Sequence, residues 1–192
     1  MNNMLLLALC LTMVSYAACA DSAGRMDVGE DVKKAFAEAG LPLLNAKQPA
    51  PDWTLKAVDG DAVTLSQLTG QVVFLNFWAT WCPPCRAEMP SMEALYQRFK
   101  DRGLALVAVD LMEREDVVRN YLRENGLTFP VLLDTRGLAG GQYGVKAVPT
   151  TCILDRDGTM IAYAAGARDW NTEKMIAAFE KLLSRNVKSG ND

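Results

Sequence analysis

Apolar and polar positions change period several times along this chain. Residues 5–14 form an apolar block of about ten residues, too short to span a bilayer and matching the core of a secretory signal. It closes on the small residues Ala17, Ala18, Cys19 and Ala20, and the first charged side chain of the chain is Asp21. Over 27–40, Val28, Val32, Phe36 and Ala39 share one face with charges elsewhere, which predicts a short helix stopped at Gly40. Pro42, Pro49 and Pro51 then predict an extended connection.

Residues 53–55 and 63–65 alternate around Asp59-Gly60-Asp61 and predict an antiparallel hairpin. The nearly continuous apolar run 72–77 predicts a strand buried on both faces. A helix follows, turning Met89, Met92, Leu95, Tyr96 and Phe99 inward, with a kink expected at Pro90. Residues 104–109 predict a second buried strand, 113–125 a helix ended by Gly126, 129–133 a third strand and 137–143 a short helix or turn. Residues 151–154 and 160–164 predict a hairpin across Asp155-Arg156-Asp157-Gly158. Asn171 is a candidate cap for a final helix burying Met175, Ile176, Phe179, Leu182 and Leu183. Strand–helix–strand units followed by a hairpin and a helix imply a mixed sheet covered on both faces. The expected organisation is therefore a signal over 1–20, a helix and linker over 21–48, one domain over 49–188 and a polar tail over 189–192.

Two readings of the signal junction stand. Ala18-Cys19-Ala20 fits an ordinary small-x-small cleavage site. Ala17-Ala18-Cys19 resembles a bacterial lipobox, in which Cys19 would carry the lipid, although Tyr16 stands where an aliphatic residue is usual and residues 1–4 contain no Lys or Arg. No second long apolar stretch follows, so contact with a membrane is expected only through such an anchor.

Composition narrows the chemistry. The net charge of −3 comes without a basic cluster and argues against a nucleic-acid partner. The chain has no histidine, which removes Ser-His-Asp and Cys-His nucleophile pairs, histidine-ligated metals and any imidazole shuttle. Of five cysteines, Cys10 and Cys19 fall in the signal region. Cys82, Cys85 and Cys152 remain, too few for a disulfide scaffold. A Cys82–Cys85 bridge closes a very short loop and restrains little of the unfolded chain, so the pair reads as redox-active more than structural. Zinc would need two more ligands, and the nine methionines fit core use. No metal or cofactor is expected beyond the Cys82–Cys85 disulfide itself.

Cys82 falls between a buried strand and a helix, so it is expected at the helix N-terminus, where unpaired N–H groups and the dipole favour a thiolate. Pro83 and Pro84 suit the first helical positions and remove two amide donors. Cys85 lies one turn on. The roles expected are an exposed nucleophile at Cys82 and a recessed resolving thiol at Cys85. Cys152 reads as a buried core thiol, Trp81 as a residue that shields the sulfurs and touches substrate, and Trp53 and Trp170 as packing or surface anchors. Asp110 and Glu113 either rim the site or are solvated loop acids.

The segment Phe77-Trp78-Ala79-Thr80-Trp81-Cys82-Pro83-Pro84-Cys85-Arg86-Ala87-Glu88-Met89-Pro90 resembles the active-site segment of the TlpA/ResA-like branch of the thioredoxins. Ala50-Pro51-Asp52-Trp53 resembles the opening of that branch, Val148-Pro149-Thr150-Thr151 its cis-proline loop, and residues 113–133 the insertion that separates it from plain thioredoxin. The resemblance implies a thioredoxin-like mixed sheet flanked by helices, with an N-terminal hairpin and a central helix–strand insertion. It implies that Pro149 is cis and faces the sulfurs, leaving the Val148 backbone to pair with a substrate strand. Asn76 stands where thioredoxin carries a buried Asp, and Glu88 matches an acid this branch keeps after its second cysteine.

The function expected is that of an exported protein-disulfide reductase of the bacterial periplasm. Client proteins with disulfides or thiols would be its substrates, and a membrane-embedded donor would feed it electrons. A cytochrome c maturation thioredoxin shares the fold, but Val148-Pro149-Thr150 lacks the acidic residue expected after its proline. A thiol peroxidase wants Thr or Ser three residues before its cysteine, where Ala79 stands. A redox-silent binding module is the remaining alternative.

Overall fold

The nearly continuous apolar run Val72–Trp78 forms a central strand of an eight-stranded mixed sheet. The computed structural model describes residues 28–46 and 48–185, so the signal, Cys19 and the polar tail lie outside the described residues. In chain order the elements are α1 (Glu30–Glu38), β1 (Gln48–Pro49), β2 (Thr54–Ala57), β3 (Ala62–Thr64), β4 (Val72–Trp78), α2 (Pro83–Phe99), β5 (Leu104–Leu111), α3 (Glu115–Asn125), β6 (Val131–Asp134), α4 (Leu138–Gln142), β7 (Thr150–Leu154), β8 (Thr159–Ala165) and α5 (Glu173–Ser184). Residues 29–185 make one unit. The strand order is β1-β8-β7-β4-β5-β6-β2-β3. Strands β4, β5 and β6 are parallel, and the rest pair antiparallel.

Every residue of β4 is buried, and its alternate side chains enter two different layers. Val73, Leu75 and Phe77 join Trp53, Val107, Val109, Leu132, Ala139, Tyr143 and Cys152 on one face. Phe74 and Trp78 enter the other: the Phe74 ring meets Trp170 edge-on at 4.7 Å, and Trp78 lies 5.4 Å from Tyr121 of α3. Phe36 of α1 and Phe179 of α5 pack at 5.4 Å in an edge arrangement, which ties the first helix to the last. The helix over 30–38 is thus docked on the domain.

Three local expectations are corrected. Thr172, and not Asn171, caps α5, its Oγ1 accepting the Met175 amide at 3.2 Å, because Asn171 is one residue too early for the helix that starts at Glu173. The extended connection before the hairpin gains a short strand, since Gln48 and Pro49 pair with Met160 and Thr159. Pro90 lies inside α2, which runs on to Phe99 as expected; its ring is on the exposed side, where the missing amide is cheapest. Tyr96 of the predicted inward face is only half-buried.

The parallel strands all end on one edge of the sheet. Trp78 pairs with Asp110 there, Leu111 with Asp134, and the antiparallel β7 begins there with Thr150 beside Phe77. The segments 79–82, 112–114, 135–137 and 145–149 therefore gather above a single edge. That edge holds the chemistry.

Candidate active site

Chain leaving β4 turns at Ala79, whose carbonyl accepts the Cys82 amide at 3.2 Å, and α2 begins at Pro83. Cys82 is the N-cap, with extended backbone. With Pro83 and Pro84 at the first two helical positions, the first amide that the helix offers is that of Cys85. It donates to the Cys82 sulfur at 3.2 Å. A sulfur thus occupies the place where Ser, Thr or Asp caps ordinary helices, and negative charge on it is favoured by that amide and by the helix dipole.

Cys82 and Cys85 are joined as a disulfide, with their Cα atoms 5.3 Å apart. Cys85 is fully buried. Cys82, expected to be exposed, is only 3% exposed in this oxidised state. The reason is tertiary: the Val148–Pro149 peptide is cis, and the Val148 carbonyl oxygen sits 3.6 Å from the Cys82 sulfur. Thr150 Oγ1 donates to the Ala147 carbonyl, and the Pro149 carbonyl accepts the Gly166 amide, so the loop is held on both sides. Around the sulfurs, Trp81 is 65% exposed, and Pro83 and Pro84 are exposed as well. Trp81 thus offers most of its surface to solvent beside Cys82.

Glu88 is one turn past Cys85 on the same helix and is buried. Its Oε1 accepts from Asn76 Nδ2 at 2.9 Å, and its Oε2 accepts from the Arg168 amide and from Trp170 Nε1, each at 3.1 Å. Burial pushes its carboxyl above the usual range, opposed first by the Trp170 bond and then by those from Arg168 and Asn76. Asn76 also donates to Thr151 Oγ1 at 2.9 Å. Trp170, read from sequence as packing or a surface anchor, is no surface residue: its fully buried ring packs against Phe74 and its N–H donates to the acid. No local pattern announces that contact.

Asp110 is also corrected. It is fully buried in β5, not a solvated loop acid; no side-chain donor among the described residues reaches its oxygens, and the Glu113 backbone amide is the one group that pulls its pKa down. The group that faces it is the Glu113 carboxyl; burial first, and that neighbour second, push Asp110 up to about 8. Glu113 in turn accepts the Thr80 amide at 2.5 Å and the Thr80 hydroxyl at 2.6 Å, so it does rim the site. Cys152, on β7, is a buried free thiol that burial pushes up to about 12. Among the described residues no cluster of three His, Cys, Asp or Glu side chains could hold a metal ion.

Residues 46–163 match the model of the AhpC/TSA family. The chain is 36% identical over 152 residues to the thiol-disulfide oxidoreductase ResA of Bacillus subtilis, spanning 79% of this chain and 83% of that one. It is 45% identical over 116 residues to the thioredoxin-like protein YneN of the same organism, spanning 59% and 67%. Among solved structures it resembles a Chlorobium tepidum protein described as thiol:disulfide interchange protein DsbE (TM-score 0.67, 34% identity, 73% of this chain and 99% of that one). It also resembles StoA of Bacillus subtilis (TM-score 0.59, 27% identity, 67% and 97%).

Proposed function

The chain belongs to the AhpC/TSA family and is a thiol–disulfide oxidoreductase of thioredoxin fold, and from that premise we propose that it is an exported reductase of protein disulfides working through Cys82 and Cys85. One observation carries the reading: a sulfur at a helix N-cap, bonded to the single amide its helix offers, with a buried acid one turn beyond its partner.

In the reduced protein the Cys82 thiolate attacks one sulfur of a client disulfide. A mixed disulfide forms, and the client's other sulfur leaves as thiolate. Cys85 then loses its proton and attacks the Cys82 sulfur, which closes the Cys82–Cys85 bond and frees the second client thiol. Two electrons pass from the dithiol to the client. Glu88 is the proton acceptor for Cys85 in the second step: no histidine exists in the chain, and a buried carboxyl with a raised pKa is matched to a thiol better than an exposed one. The client strand pairs with the Val148 backbone, and Trp81, Pro83 and Pro84 form the surface it meets.

The direction follows from what the pair lacks. Strong oxidants of this chemistry stabilise their reduced form, and Pro83 and Pro84 bring no cation between the sulfurs and withhold two amides. The couple is accordingly reducing, and a membrane-embedded donor returns it to the dithiol. The apolar block 5–14 supports export, with Cys19 a site for a lipid anchor; among the described residues no helix is long and apolar enough to cross a membrane. Ala79 stands where a peroxidase would need Thr or Ser.

Three measurements test this. Cys85→Ser should accumulate mixed disulfides on Cys82 with client proteins in the envelope, and equilibration with glutathione should return a reducing potential. Glu88→Gln should slow exchange and flatten its dependence between pH 5 and 8. A strongly oxidising potential rejects the reductase assignment, and an unchanged pH profile removes Glu88 from it.

A further inference from the structure

Five large apolar side chains are exposed among the described residues, and three of them stand on the edge that carries the disulfide: Trp81, Met112 and Leu138. Contacts of their chain neighbours link the three segments. Thr80, next to Trp81, is bonded through its amide and hydroxyl to Glu113, next to Met112. The Met112 sulfur in turn lies 3.3 Å from where a Cβ on Gly137, next to Leu138, would be.

Met112 is also the one non-glycine residue with positive φ among the described residues, at 61°. That conformation costs a side-chain-bearing residue about 1 kcal/mol and persists only where the surroundings hold it. Here Asp134 holds it: its carbonyl accepts the Met112 amide at 3.1 Å, and its buried carboxylate takes the amides of Leu138 and Gly140, each at 2.9 Å. One buried acid thus fixes both Met112 and Leu138, with 67% and 55% of their surfaces in solvent. Packing gives no reason for this arrangement, since neither side chain is buried by it.

Three exposed cations border this edge, although the chain as a whole carries −3. Arg86, Arg136 and Lys146 are exposed on the segments that flank the sulfurs, while the ion pairs among the described residues use other cations. The carboxyls nearby are each turned onto a donor within the protein. Glu113 takes Thr80, Asp116 pairs with Arg114, Asp134 takes two amides, and Asp169 accepts the Asn171 amide.

We propose that Trp81, Met112 and Leu138 form a preformed apolar ledge, bordered by Arg86, Arg136 and Lys146, that docks a client segment whose cysteine is flanked by apolar and acidic residues. The inference rests on Cys82 being the nucleophile and adds what the client must look like. A second copy of this chain would bring its own three cations to the same place, so the complement is an acidic polypeptide.

The test is a single-turnover reaction of the reduced protein with two synthetic peptides, each carrying its one cysteine as a mixed disulfide with 2-mercaptoethanol. One has Leu and Glu around the cysteine, the other Ser and Lys. The uncharged bis(2-hydroxyethyl) disulfide serves as reference. The Leu/Glu peptide should react roughly tenfold faster than the Ser/Lys peptide, the factor that 1.4 kcal/mol of docking supplies, and added salt should shrink the difference. Met112→Asn, a residue that tolerates the same backbone, and Leu138→Ser should each cut the rate on the Leu/Glu peptide, relative to the reference, severalfold. Equal peptide rates, or a ratio to the reference that neither substitution moves, overturn the ledge while leaving the redox centre intact. A protein that leaves the reference disulfide unreduced fails at Cys82 itself, and the docking proposal falls with it.

Discussion

The indole N–H of Trp170 donates to Oε2 of Glu88 at 3.1 Å, across 82 positions of sequence. That bond is the first of the interactions that restrain the acid from a higher pKa, because a donor aimed at a carboxylate favours its charged form. Trp170→Phe keeps the ring against Phe74 and deletes the donor. The Glu88 pKa should then rise further, and the pH at which resolution of the mixed disulfide reaches half its maximal rate should move upward. Stopped-flow exchange across pH 5–9 measures it; an unmoved midpoint would separate Glu88 from the titration.

Asp110 gives a pH dependence of stability with a definite sign. Its folded pKa, about 8, lies above the ordinary 3.8, so the folded protein holds a proton that the unfolded chain releases. The contribution is full below about pH 4, declines as pH rises, and is gone above about pH 8. Asp110→Asn has the same shape and does not titrate. Chemical denaturation at pH 5 and pH 8 should find the variant gaining on the natural protein as pH rises.

Thr80 joins the cysteine turn to the end of β5 through Glu113. Thr80→Ala removes the hydroxyl donor and leaves the amide bond in place. A loss of about 1 kcal/mol in unfolding free energy is expected for one hydrogen bond to a charged acceptor in a half-buried setting, read from the denaturant midpoint.

Cys152 should be chemically silent. Its thiol is fully buried and pushed up to about 12, and the thiolate is the reactive form. Reduced native protein treated with iodoacetamide at pH 8 should carry label at Cys82 and none at Cys152 by peptide mapping, with Cys152 labelled only after denaturation.

Much of this architecture was legible one residue at a time. The apolar run 72–77, the 3.6-residue spacing of Met89, Met92, Leu95 and Phe99, and the Asp-Gly turns of both hairpins each report a local period, and the strands and helices formed where those periods stood. The cysteine spacing placed both sulfurs at a helix start, because strand, turn and helix are contiguous there. What the linear pattern left open was set by contacts between distant segments. Whether Asp110 is solvated depends on the turn at Glu113 folding back onto the end of β5. Which donors hold Glu88 depends on Trp170 and Arg168 arriving from beyond β8, and how little of Cys82 meets solvent depends on the Val148 carbonyl. Periodicity assigns a side chain to a face of its own element; the identity of the group opposite is settled only when the sheet closes, since burial, pKa and reach to substrate are properties of both partners together.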